Sequence, residues 1–104
     1  MDMDQIFARH GDLVINRSPI PKSVKLSEPK STVVLAGRES APHAIAEFQH
    51  VLYGQEGAIQ YLRIAQPVEL SHSERHKTIA LPPGDYQVAS LAEMNGDLAR
   101  AVED

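Results

Sequence analysis

Two histidines four residues apart, His72 and His76, lie in the stretch SHSERHK with Glu74 and Arg75 between them. With His43 they form a candidate ligand set for a divalent metal such as zinc, and Glu74 is the candidate base of a small metal-dependent hydrolase. The condition on this chemistry is geometric. A metal centre needs three or four donor atoms converging within about 2.1 Å of one ion. At i, i+4 on a helix the two histidines would stack about 6 Å apart. On an extended strand the same spacing separates them by about 13 Å, too far for one ion. The stretch therefore works as a site only if it turns. The order His-Ser-Glu-Arg-His also puts the glutamate at the wrong offset for the helical HExxH zinc arrangement. The competing reading is a polar turn between two strands, with titrating surface histidines.

Other chemistry has less support. The chain has no cysteine, which excludes disulfides, CxxC redox chemistry and cysteine-bound zinc. No Gly-x-Ser-x-Gly elbow occurs, and Ser40 three residues before His43 is adjacency in sequence rather than triad geometry. The six glycines are scattered, with no phosphate-cradling loop. Glu69 and Glu74, on a strand edge and a turn, lack the setting of a catalytic carboxylate pair.

The elements that must position these residues read mainly as strands. The opening Asp4–Arg9 fits one helical turn, Gly11-Asp12 is a turn signal, and Leu13 to Ile15 form a short strand. From Arg17 to Lys30 the chain carries four cations, Arg17, Lys22, Lys25 and Lys30, against Glu28, with three prolines. Such a segment is a solvated connection or, at best, an edge strand. STVVLAG is a β-branched strand, RESAPHA a loop or bulge, and AIAEFQHVLYG a strand with a bulge or break near Glu47. The Gly-bounded Gln55-Glu56-Gly57 marks a hairpin turn.

In AIQYLRIAQPVELSH, Leu62 and Ile64 form the core face, which Val68 and Leu70 continue beyond Pro67. Ile79 and Leu81 share a face, Tyr86 and Val88 resume the alternation, and Pro82-Pro83-Gly84-Asp85 fits a type II turn. In the tail, Leu91, Met94, Leu98 and Val102 recur at helical steps, with Asp97 as a candidate N-cap. Six or so short strands ended by Gly or Pro predict a mainly β fold, a small antiparallel β-sandwich or barrel with a short C-terminal helix. The expected organisation is one domain over residues 1–104, a β-rich body to about residue 90 and a helical tail over 91–104.

Composition bounds the class. With 104 residues and 42% hydrophobic content the chain is globular in character, but it has no Trp, three Tyr and two Phe. Its core must be built mainly from Val, Ile, Leu and Ala, and the modest burial of a domain of this size leaves room for homodimerisation or a higher assembly as a supplement. The net charge of −4 argues against a nucleic-acid binder held by phosphate contacts. The acidic beginning MDMDQIFARHGD lacks an apolar signal region, no run is long enough to span a bilayer, and absent cysteine fits a cytoplasmic setting.

The order of the pieces HGDLVINR, ESAPHAI, YLRIAQPVELSHSERHKTIALPPGDYQV and VED resembles a little-characterised family of small proteins of bacteria, phages and mobile elements. Its pattern is a Gly-Asp strand, a Gly-His-x-His loop, Thr-His-x-Glu-His and an LPPGxYxV strand–turn–strand. Here Pro42 stands for the loop's glycine, Ile45 for its second histidine, and the histidine pair is stretched by one residue. Of the family's later Gln-Arg-Glu-Tyr only Glu93 is kept. The resemblance implies a shared β-rich scaffold and an accessory role. Two functions follow as expectations: a non-enzymatic accessory protein that needs no cofactor and binds a protein partner, or a metal protein using His43, His72 and His76 with Glu74.

Overall fold

The computed structural model describes residues 6–10, 13–35, 43–72 and 78–90. Among these residues nine strands run in chain order: β1 Ile6–His10, β2 Leu13–Arg17, β3 Val33–Leu35, β4 His43–Ile45, β5 Val51–Glu56, β6 Ile59–Ile64, β7 Val68–His72, β8 Ile79–Leu81 and β9 Gly84–Ser90. They form two antiparallel sheets, one of five strands ordered β1-β2-β9-β6-β5 and one of four ordered β3-β4-β7-β8. The mainly β, two-sheet expectation holds, and the barrel alternative does not, because the sheets stay separate. The C-terminal helix falls on residues outside those described.

Strand alternation builds the core. Leu13 and Ile15 of β2, Leu62 and Ile64 of β6, and Tyr86 and Val88 of β9 face inward from the five-stranded sheet. Val33 and Leu35, Ile45, Val68 and Leu70, and Leu81 meet them from the four-stranded one, all in one buried cluster. Each such aliphatic burial contributes about 1.5–3 kcal/mol. Tyr86 supplies the bulk that the missing tryptophan does not: it is fully buried, donates its hydroxyl hydrogen to the Pro82 carbonyl oxygen at 2.6 Å, and lies under the Arg17 guanidinium, 5.2 Å from the ring centroid.

Several local expectations change. The opening segment is strand β1, not a helical turn, because pairing with β2 from Ile6↔Asn16 to His10↔Leu13 outweighs its weak helical tendency. Pro82 and Pro83 do not close a hairpin, since β8 and β9 belong to different sheets. Gly84, at φ +149°, is already the first residue of β9 and pairs with Ile64, so the type II turn is replaced by a corner between sheets. The expected break near Glu47 is real and is a second crossing between sheets: β4 ends at Ile45, and a 3-10 helix over Phe48–His50 carries the chain to β5 in the other sheet. The Gly-bounded hairpin is real but lies one step later. Glu56 pairs with Ile59, and Gly57, at φ +60°, takes the left-handed backbone that a two-residue turn requires.

Candidate functional site

His43 moves furthest from its sequence-based placement. It stands not in a loop but on β4, fully buried, in register with Leu35 on one side and with His72 of β7 on the other. Opposed positions of an antiparallel pair carry Cβ atoms about 4.5–5.5 Å apart, a separation two ligands of one ion can use. The sheet thus brings together His43 and His72, 29 residues apart in the chain. Glu74 and His76 lie outside the described residues, so the i, i+4 pair itself is not placed. Among the described residues no group of three or more His, Asp or Glu side chains is arranged to hold a metal ion. Glu69, the other carboxylate weighed from the sequence, is exposed on β7, where its backbone N–H donates to the Glu47 carboxylate at 3.4 Å.

The basic connection from Arg17 to Lys30 is a structural part of the five-stranded sheet's edge. Ser27 pairs with Tyr53 of β5 through two backbone hydrogen bonds, 2.8 and 2.9 Å long. Val24 and Lys25 lie across Gly54 so closely that a Cβ there would stand 2.6 Å from Val24 Cγ1 and 2.8 Å from the Lys25 carbonyl oxygen. Ser23 adds a 2.7 Å hydrogen bond to the Glu56 carboxylate. This covering leaves Lys22, Lys25 and Lys30 exposed.

Two hollows flank the connection where it passes Pro29. The larger, about 460 Å³, has Phe48, Leu52 and Ala65 as apolar lining, with Glu28, His50 and Arg63 among its polar residues. Its Arg63 holds Asp85 in a two-pronged ion pair, at 2.9 and 3.2 Å, and that hydrogen bond and charge push the guanidinium pKa further up. No sequence motif marks these residues, which the Ser27–Tyr53 bridge and the 3-10 helix gather from positions 28 to 65. The smaller hollow, about 230 Å³, is lined by residues 29–34 and Tyr53. The Tyr53 hydroxyl receives a hydrogen bond from Gln60 Nε2 at 2.8 Å and donates to Gln55 Oε1 at 3.2 Å, so its ring is fixed from both sides.

Beside the smaller hollow runs β3, an edge strand. Its middle residue, Val34, is 55% exposed and is the exposed large hydrophobic residue among those described. The face of the five-stranded sheet turned from the core is different, since Val14, Asn16, Ala89 and Tyr61 there are all buried. Both amide atoms of Asn16 are enclosed with no hydrogen-bond partner among the described residues.

Fold and surface together define a small two-sheet β protein in which, among the described residues, the β3 edge exposes Val34 near the end of a basic connection. A family model described as a domain of unknown function, DUF8820, matches residues 9–90, and the chain belongs to that family. Comparison with curated proteins and with solved structures gives no match. No described helix is long and apolar enough to cross a membrane.

Proposed function

We propose that this chain is a small non-enzymatic accessory protein of bacterial, phage or mobile-element origin that acts in the cytoplasm by binding another protein. One observation carries the reading: Val34 is displayed on an edge strand, beside the exposed Lys30 and a hollow with a fixed tyrosine wall. An unprotected apolar edge is a liability for a protein that works alone, and natural sheets usually blunt it with charge, proline or a covering segment. The partner envisaged is a protein rather than a nucleic acid, in keeping with the net charge of −4.

A second reading has its own support in the register of His43 with His72, which sets two imidazole-bearing positions side by side in one sheet. On that reading the chain binds a divalent metal such as zinc, completes the site with His76, and uses Glu74 as the base of a hydrolase. Metal content separates the two. Protein purified without a histidine tag is expected to carry far less than one metal per chain and to melt at the same temperature with and without chelator. Stoichiometric metal, with a chelator-induced fall in melting temperature of several degrees, would establish the second reading in place of the first.

A further inference from the structure

We infer that the β3 edge takes an extended acidic peptide of a partner protein, added as a fifth strand beside Val33–Leu35. The inference rests on the protein-binding reading and names the partner's chemistry. In the four-stranded sheet β3 pairs with β4 on one side only, and no described backbone group bonds to its other side. Alternate N–H and C=O groups of such a strand point outward and can be satisfied by a further strand. The corresponding edge of the five-stranded sheet, at β5, is instead bridged by Ser27. Among the described residues the two edges are therefore treated differently: the β5 edge is bridged and the β3 edge is not.

Side-chain recognition follows from the pleat. An added strand projects alternate residues to opposite faces of the sheet. One set would lie beside Val34, which offers an apolar contact on the outer face. The hollow of about 230 Å³, which Val33 and Val34 also line, lies beside the same edge, and its Tyr53 wall is already held by Gln55 and Gln60 and needs no ordering on binding. Charge decides the polar residues of the peptide. The connection leading into β3 exposes Lys22, Lys25 and Lys30 against one carboxylate, Glu28, in a chain of net −4, and Lys30 itself lines the hollow. An acidic segment is drawn to this edge and a basic one repelled.

The test uses the full chain and a fluorescein-labelled peptide, Glu-Val-Glu-Val-Glu-Val-Glu, with its lysine counterpart Lys-Val-Lys-Val-Lys-Val-Lys as control, followed by anisotropy. Saturable binding of the acidic peptide is expected, weakening as salt rises, with the basic peptide at least about tenfold weaker. Val34→Glu should weaken the acidic peptide by about tenfold or more, and Lys30→Glu by about threefold or more. Both positions are exposed, so unchanged melting temperatures will show that the variants fold. Equal affinity for the two peptides, no saturable binding, or a Val34→Glu variant that binds like wild type overturns the inference. So does a wild-type dimer that Val34→Glu dissociates, because the edge would then serve a second copy. A protein partner that Val34→Glu still retains from host cells would remove β3 as the docking edge while leaving the protein-binding function standing.

Discussion

Tyr86 joins three parts of the molecule. Its ring fills the core, its hydroxyl ties the Pro82 corner, and its face carries the Arg17 guanidinium. Burial pushes its phenol up from the ordinary 10.0, against the opposing pull of the Arg17 charge. Burial, with a smaller contribution from the Glu56 carboxylate, pushes Tyr61 up as well. The folded chain thus keeps these protons at a pH where the unfolded chain has begun to lose them. Their contribution to stability is complete below pH 10.0 and falls as pH rises through the raised folded values. Thermal melts across pH 8 to 11 should show this fall, and Tyr86→Phe should shrink it while costing about 1 kcal/mol at neutral pH for the lost hydrogen bond. An unchanged alkaline limb in the variant would mean that Tyr86 does not contribute to it. Tyr86 is legible in the sequence as an inward residue, because alternation with Val88 marks it. Its bond to Pro82 is not, since that depends on the chain changing sheets at the two prolines.

Elements show the same division between local pattern and pairing. The core strands Leu62–Ile64 and Val68–Leu70 are readable from period-two alternation, and both segments turn those residues inward. Their assignment to different sheets is not readable, because a proline between two strands marks a break without saying where the second strand pairs. The fate of the histidines follows from this. His72 is readable as the end of a strand, but its partner across the sheet, His43, is fixed by the β4–β7 register, a relation no local spacing contains. The opening strand β1 escapes sequence reasoning because five residues carry too little periodicity to outweigh a helical alternative.

Gly54 gives the most direct test at the scale of an element. A methyl group there must displace Val24 and the Lys25 backbone, so Gly54→Ala should lower stability by about 1–3 kcal/mol in urea unfolding. It should also loosen the connection, making the segment around Lys22 and Lys25 more sensitive to trypsin. A variant as stable and as resistant as wild type would show that the connection does not pack against β5.

At the scale of the whole molecule, two sheets share one aliphatic core and leave unequal margins. The β5 margin is closed by the basic connection, while the β3 margin presents Val34 with Lys30 close by. The basic run and the strand are neighbours in the sequence, where the run has the composition of a solvated loop. Pairing of Ser27 with Tyr53 reveals that the run is anchored, with its lysines left exposed. A protein built this way displays a fixed, apolar-and-basic margin, which is the basis for the binding function proposed. The most direct measurement is lysine-directed crosslinking in the native host, read by mass spectrometry. The proposed function predicts reproducible crosslinks from Lys22, Lys25 or Lys30 to the acidic segment of one other protein. Crosslinks confined to the chain itself, at native abundance and across growth conditions, would contradict it.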